Sequence, residues 1–490
     1  MANIDFFIKN TNDNSENNKK SHKILITILS FFLLIVVSFF IFVYFRAVQF
    51  NKCTKASALN NQQIQTIQSI LQKEYKSNFQ ILKKLPYNIA SPNLDVWAKS
   101  AILVDVSNGN VLYEKNADKI IPPASMTKLF AMYVVEEEIS AGRLSYDQKI
   151  TLPAETWACN MPPRSSLMFL GEGQNVTLEE LLLGLSICSG NDAAYALAYA
   201  VCGNMEDFVE RMNQVADDLG LNNTHFVESS GYSENNTTTA REMAAFCKVY
   251  LEKHPQSIQK FHSVPYFTYP KEHNLASGDV IRSQDFSQGL PKKITMPITQ
   301  YNTNPLLNVL EGADGLKTGY IDESGYNLSL TAVRNGTRFL SITMGGPGKS
   351  SSEGQKGRIH DGTELMEWAF SSFADFSLEN YSHPYFVRVF GAKEKGINII
   401  PAYTEKTLTV PYVYGENMEE NLENVKIYYN IESLFGGVEA GDICGNIKFY
   451  LDDYLLQEIP LLADRTVSQS NFVIRLADRI LQKMADNTSE

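Results

Sequence analysis

A chain of 490 residues, 44% hydrophobic and 11% aromatic, is too long for one domain and suits two packed domains with extra segments. Its 43 Lys and Arg stand against 55 Asp and Glu, a formal net charge of -12. An excess of anionic side chains argues against nucleic acid as a partner.

Residues 1–23 are polar and rich in Asn, Lys and Ser, and read as a disordered tail. From Ile24 to Phe45 no charge interrupts about 22 residues, enough to cross a bilayer. The run exceeds the apolar region of an ordinary cleaved signal. Leu, Ile, Phe and Val fall on all its faces, which argues against a core helix with one wet side. It is therefore expected to be an uncleaved transmembrane helix over residues 24–45. Orientation is not set by charge, because Lys19, Lys20 and Lys23 precede the run while Arg46, Lys52 and Lys55 follow it. Residues 46–92 are expected to form a stalk. Within it Ile64, Ile67, Ile70, Leu71, Tyr75, Phe79 and Leu82 recur at roughly helical spacing, and Pro86 and Pro92 end the pattern.

The next domain is placed at residues 93–377. Ala101–Val106 and Asn110–Glu114 read as a hairpin around Ser107-Asn108-Gly109. Ser125 follows Pro122, Pro123 and Ala124 and opens an apolar, helix-favouring run to Ile139. A serine at a first helical turn lies beside free backbone N–H groups and the positive end of the helix dipole. Lys128 is three residues on and shares its face. Serine needs an adjacent base to become a nucleophile, and a lysine screened from water can lose its proton near neutral pH and act as one. Thr177–Gly220 reads as helices, with Ser189-Gly190-Asn191 on a turn between two of them. Lys271–Thr299 is polar and carries Gly278, Gly289 and Pro291; it fits either a flap over a cleft or a surface insertion. Gly315–Asn335 and Arg338–Gly346 read as adjacent strands, the first carrying Lys317-Thr318-Gly319.

Residues 382–467 change character. Val387–Phe390, Ile397–Ile400, Leu408–Val410 and Val425–Tyr429 are short strand patterns, and Ile447–Leu451 and Tyr454–Glu458 flank Asp452-Asp453 as a hairpin. The tail, residues 470–490, puts Phe472, Val473, Leu476, Ile480 and Met484 on one helix face and Arg475, Arg479 and Gln482 opposite. Six cysteines permit disulfides in an exported chain, yet Cys188, Cys202 and Cys247 lie in apolar helical runs, where cysteine acts as a small hydrophobe. Mostly free thiols are expected. No His, Cys and carboxylate cluster has metal-ligand spacing, so neither a metal nor another cofactor is expected.

Ser125-x-x-Lys128, Ser189-x-Asn191 and Lys317-Thr318-Gly319, in this order, match the three signatures of the serine penicillin-recognising enzymes. Their flanks narrow the resemblance. Thr177–Leu183, Phe208–Asn213, Asn223–Phe226, Thr239–Met243 and Gly315–Tyr320 are similar to the low-molecular-mass D-alanyl-D-alanine carboxypeptidases, penicillin-binding proteins in which the likeness runs from about Trp97 to Val467.

That resemblance implies an α/β catalytic domain of the β-lactamase-like type, an antiparallel sheet flanked by helices. It adds a small C-terminal all-β domain, matched at Gly437–Asn446, as a stand above the membrane. Ser125 would attack the carbonyl of a penultimate D-alanine, Lys128 would take its proton, and Ser189 would pass a proton to the leaving amine. Asn191 would bind the substrate backbone. The N–H groups of Ser125 and Tyr320, the latter following Gly319, would hold the oxyanion. Lys317, Thr318 and Arg358 would meet the terminal carboxylate. The implied partners are peptidoglycan stem peptides, β-lactams and the cytoplasmic membrane, with the catalytic domain on the outer face and the oligomeric state open. The family also offers a C-terminal amphipathic helix lying on the membrane; a helix packed on its own domain is the other reading of residues 470–490. Ile321 and Asn236 depart from residues common in the family. The rival functions are a β-lactamase using Asp218 in place of a deacylating glutamate, a D,D-endopeptidase, and an inert wall-binding or sensor protein.

Overall fold

The computed structural model describes residues 4–77, 81–89, 92–402, 406–411 and 424–486. The chain forms two units. One comprises Gln80–Leu378 with Glu405–Val425, the other Met1–Phe79, Glu379–Thr404 and Lys426–Glu490.

The first unit is built on a six-stranded sheet. Its strands are β1 (Lys83–Lys84), β2 (Ser100–Asp105), β3 (Asn110–Lys115), β8 (Ala313–Ile321), β9 (Gly325–Arg334) and β10 (Thr337–Gly346), in the order β1-β3-β2-β10-β9-β8. The intervening short strands pair off separately: β4 (Lys149–Ile150) with β5 (Val176–Thr177), and β6 (Tyr266–Tyr269) with β7 (Ile298–Tyr301). Side chains alternate across a strand, and here both faces are covered. Ile102 and Val104 join Leu340 and Ile342 in a core with Phe130, Leu185 and Phe246. Ala101 and Leu103 join Leu328, Leu330 and Phe339 in a second core, with Leu365 and Met366. Burial on both faces is why Ala101–Val104 reads as an unbroken apolar run rather than an alternating one.

The helices of the first core are α3 (Lys128–Ser140), α4 (Leu178–Ser186), α5 (Asn191–Cys202), α6 (Met205–Asp218) and α7 (Ala240–Lys253); α8 (Ser351–Ser372) covers the second. Helix α3 is buried from Lys128 through Glu136, so its apolar residues need no single stripe. Thr177 and Glu180 form a capping box at the start of α4, which sets where that helix begins.

The boundary of this unit differs from the expected 93–377. Leu408–Val410 belongs to β14 (Thr407–Pro411), which follows β12 (Tyr385–Phe390) and β13 (Gly396–Pro401) of the other unit. It pairs antiparallel with β11 (Phe373–Ser377). Alternation identifies a strand but not its partner. Here hydrogen bonds from Thr409 to Asp105 and from Asn110 to Thr409, at 2.7 and 2.9 Å, tie the returning strand to the first unit.

The second unit carries α1 (Ile4–Lys52), α2 (Asn61–Ser77) and a sheet in the order β15-β17-β18-β13-β12-β16, with β15 (Val425–Ile431), β16 (Leu434–Phe435), β17 (Ile443–Leu451) and β18 (Tyr454–Ala463). It ends in α9 (Phe472–Asp486). The β-rich domain expected at 382–467 is therefore present, less the segment around β14. Helix α1 starts at Ile4 rather than near residue 24, in place of the expected disordered tail. No Pro or Gly stops it there, and extending a formed helix is far easier than nucleating one.

The expected stalk at 46–92 is divided. Val43, Phe50 and Ile67 are buried, Phe50 stacks on Phe390 at 4.4 Å, and Arg46 forms a buried ion pair with Asp478 of α9. Lys83–Lys84 joins the first unit's sheet beside β3. The Phe79 position lies outside the described residues. Helix α9 also resolves unexpectedly. Ala477 and Asp478 are fully buried, and Gln482 donates to Ser433. Phe472, Val473, Leu476 and Met484 face outward. The side carrying Ile474, Ala477, Asp478 and Gln482 packs on the unit, and the side carrying Phe472, Val473, Leu476 and Met484 is left open.

Candidate active site

Ser125 lies in a tight turn, Ala124–Thr127, that leads into α3. Ala124 has φ +50, a conformation that costs of order 1–3 kcal/mol and persists only where the surroundings enforce it. Two glycine backbones enforce it here. A Cβ on Gly319 would fall 2.6 Å from the Pro123 carbonyl oxygen, and one on Gly231 would fall 1.8 Å from that of Ala124. Only glycine lets β8 and the Gly231 loop approach the serine turn this closely. Asn327 of β9 adds donors to the Pro122 and Pro123 carbonyls at 3.0 and 3.2 Å.

Lys128 is fully buried. Its Nζ lies 3.0 Å from Ser125 Oγ and 2.8 Å from Asn191 Oδ1, and it also donates to the Ser230 carbonyl. Burial pulls its pKa down to about 7, against the opposing pull of Glu228 and Asp192. The lysine is thus poised to exchange a proton with the serine near neutral pH. Asn191 starts α5, and its position is fixed by Asp192. The Asp192 carboxylate accepts from the N–H groups of Met168, Phe169 and Leu170 at 2.8, 2.8 and 3.0 Å.

Ser189, also at positive φ (+56), accepts a 2.9 Å hydrogen bond from Lys317 Nζ. Lys317 is buried, and desolvation, with Lys128 and Arg358 nearby, holds it well below the ordinary lysine range. Thr318 Oγ1 bonds Thr303 Oγ1 at 2.7 Å. The strand bearing both is braced by buried His262, whose Nδ1 faces the Leu316 carbonyl at 3.2 Å and whose Nε2 faces the Tyr250 hydroxyl at 2.8 Å. Burial pushes His262 down to about 4, so it braces the strand as a neutral ring.

Ser125, Asn191 and Tyr320 line one cleft of about 440 Å³, together with Arg164, Gly231 and Asp322. Tyr320 is exposed and its hydroxyl donates to Asp322 at 2.7 Å. Arg358 stands apart from this opening. It is buried, donates to the Gly319 carbonyl at 2.6 Å and to that of Asn327 at 3.1 Å, and sits over the Tyr326 ring. These bonds tie it to the main chain of β8 and β9, and a further one reaches Gln355 Oε1 at 3.3 Å.

Three expectations are settled by position. The Lys271–Thr299 segment lines no part of the Ser125 cleft. It packs instead on the 169–174 loop, through Glu172 N–H to the Lys292 carbonyl (2.7 Å) and Phe169 against Phe286, as a surface insertion. Asp218 is bonded by Gln214 at 2.8 Å and borders a different depression, with Tyr133 and Lys253, which removes the geometric basis for a deacylating acid. The six cysteines are free thiols, and burial raises Cys188, beside Ser189, to about 12.

The sequence reading missed Ser230, Glu228, Thr303, His262 and Asn327. Ser230 acts through a main-chain carbonyl, which leaves no trace in side-chain identity. The run Glu228-Ser-Ser-Gly231, an acid followed by small turn residues, was the signal available.

The profile of the D-alanyl-D-alanine carboxypeptidase family matches residues 87–348. The chain is 30% identical over 378 residues to D-alanyl-D-alanine carboxypeptidase DacF of Bacillus subtilis, covering 77% of this chain and 87% of that one. It is 30% identical over 401 residues to DacA of Escherichia coli, covering 79% and 88%. The crystal structure of penicillin binding protein 5 from Haemophilus influenzae superposes with a TM-score of 0.64 at 27% identity, covering 78% of this chain and 100% of that one. By sequence and by fold, the chain belongs to the D-alanyl-D-alanine carboxypeptidase family of serine peptidases.

Proposed function

We propose that the chain removes the terminal D-alanine of peptidoglycan stem peptides through an acyl-enzyme at Ser125, and that β-lactams acylate the same serine. The observation that carries this is the 3.0 Å contact between Ser125 Oγ and the Nζ of a buried Lys128, whose pKa is drawn down to about 7. Lys128 accepts the hydroxyl proton as Oγ bonds the carbonyl carbon of the penultimate D-alanine. The N–H groups of Ser125 and Tyr320 bear the oxyanion. As the C–N bond breaks, the leaving amine receives a proton through Ser189, which Lys317 contacts. Water then attacks the ester, and Ser125 regains its proton. A substrate carboxylate near Lys317 and Thr318 favours the charged form of Lys317, so the lysine gains its positive charge as the substrate docks.

The enzyme sits at the outer face of the cytoplasmic membrane, held by α1. Its Lys19–Lys52 portion is long and apolar enough to cross a bilayer. The outward Phe472, Val473, Leu476 and Met484 of α9 suit a helix lying at the lipid surface. Protease applied to sealed spheroplasts should digest the catalytic unit, and protection would reverse this topology.

Muropeptide digestion followed by mass spectrometry tests the reaction. The expected products are free D-alanine and shortened stems with cross-linked dimers intact. Conversion of dimers to monomers without D-alanine would assign an endopeptidase.

A further inference from the structure

A neutral lysine base has two hydrogens and one lone pair, and only the lone pair can take the serine proton. Three atoms surround Lys128 Nζ: Ser125 Oγ, Asn191 Oδ1 and the Ser230 carbonyl oxygen. If the two acceptors that are not the nucleophile hold the two hydrogens, the lone pair is left on Ser125. The aim of the base therefore depends on the Ser230 carbonyl, and that carbonyl sits on a loop.

One side chain organises that loop. Glu228 Oε2 accepts from the Ser230 N–H at 2.7 Å and from the Ser230 hydroxyl. Its Oε1 accepts from the Gly231 N–H at 2.7 Å, from the Ser233 N–H at 3.3 Å and from Asn236 Nδ2 at 2.9 Å. Asn236 closes the turn: its Oδ1 accepts from the Val227 N–H at 2.8 Å, and its Nδ2 reaches Thr127 Oγ1, beside Lys128, at 3.3 Å. Gly231 at φ +78 then presses on Ala124, so the same turn also shapes the serine's own backbone.

We propose that Glu228 is a positioning residue for the general base, folding the 228–236 turn so that the Ser230 carbonyl fixes the Lys128 amine with its lone pair on Ser125. This rests on the reading of Ser125 and Lys128 as nucleophile and base. The charged groups that bear on Lys128 are Glu228 from this loop, Asp192 from α5 and Lys317 from β8. Glu228 and Asp192 favour the ammonium, while burial opposes it. Glu228 thus has two separable effects, orientation through hydrogen bonds and charge through space.

The test is the pH dependence of acylation of the full chain by a fluorescent penicillin. In the wild type the rate should rise through an acid limb near pH 7 that vanishes in Lys128→Ala. Glu228→Gln should lower the plateau about tenfold and move the limb to lower pH by about one unit, because an anion favouring the ammonium is gone. Glu228→Asp, which keeps the charge, should restore the wild-type midpoint. A lowered plateau with an unmoved midpoint, or an unchanged profile, overturns the proposal. Glu228→Asp also keeps the test open if Glu228→Gln does not fold. It keeps the charge but shortens the reach to the Ser230 and Gly231 N–H groups, and should lower the plateau at the wild-type midpoint, so a wild-type plateau there overturns the proposal equally. A wild type without a Lys128-dependent limb overturns the underlying reading as well, so the two failures are distinguishable.

Discussion

The catalytic unit buries two like-charged pairs, and the contrast between them is instructive. Lys128 and Lys317 lie at the cleft, and both are held below the ordinary lysine range, chiefly by burial. Asp105 and Asp375 lie under the β2–β3 hairpin. There the Ser107 hydroxyl stands 2.6 Å from Asp105 Oδ1 and 2.9 Å from Asp375 Oδ2. One hydroxyl hydrogen cannot serve two carboxylates. Asp105 has other donors in Ser107 N–H, Asn108 and Thr409, whereas Asp375 Oδ1 is buried without a partner. Burial and the neighbouring Asp105 charge accordingly raise Asp375 to about 8. Lys128, Lys317 and Asp375 respond to the same physics, each shifting toward its neutral form. Both pairs have a serine hydroxyl within reach, but only the hydroxyl beside Lys128 lines a cleft that a substrate can enter, so a displaced pKa marks a functional site only together with such an opening.

The largest effect should come from the lysine pair. Ser125→Ala should abolish covalent penicillin labelling, and Lys128→Ala should slow acylation by roughly 10²–10⁴-fold, the usual contribution of a positioned base. Peptide mapping of labelled protein checks both, and label on any other serine would break the assignment. The acid pair should instead govern stability. Asp375 binds its proton more tightly folded than unfolded, so its favourable contribution is complete below the unfolded pKa. It is lost as pH rises toward about 8, with a slope of at most about 1.4 kcal/mol per pH unit. Asp375→Asn, which stays neutral, should therefore raise the melting temperature at pH 8–9 and change it least near pH 4. A variant less stable than the wild type at pH 9 would show that the pair does not share a proton, while penicillin acylation should be unaffected throughout.

The contrast also explains what the sequence could reveal. Ser125, Lys128, Ser189, Asn191 and Lys317 were readable because their chemistry resides in side chains at fixed spacing; the structure joins Ser125 and Asn191 through Lys128, and Ser189 to Lys317. The Ala101–Glu114 hairpin was readable because local turn residues determine it. Asp375 was not, since its partner lies on the hairpin 268 residues earlier in the chain. The same holds for the strand Thr407–Pro411, whose alternation carries no information about which unit it joins. The two-sided character of α9 was read correctly as a pattern, but a pattern does not say which side packs. Here a buried ion pair between Arg46 and Asp478 draws the Ala477–Asp478 side inward.

The smallest expected effect concerns Arg358, a third buried cation near the lysine pair. Burial pulls it down to about 10, and its charge is one cause of the lowered Lys317 value. Its hydrogen bonds go to the Gly319 and Asn327 carbonyls, so it holds the cleft strand in place. Arg358→Ala should then cost roughly 2 kcal/mol of stability, as expected when hydrogen bonds from a charged group are lost. It should also reduce turnover of a stem pentapeptide and acylation by penicillin by similar factors, on the order of tenfold, a barrier change of about 1.4 kcal/mol. A direct bond to the terminal D-alanine carboxylate predicts a different split. The pentapeptide has no ring strain to help it and would suffer much more than penicillin. Measuring kcat/KM for the pentapeptide beside the penicillin acylation rate, on protein shown to be folded, separates the two. A pentapeptide loss ten times the penicillin loss would return Arg358 to the carboxylate, and equal losses would keep it as the brace of the strand that carries Lys317.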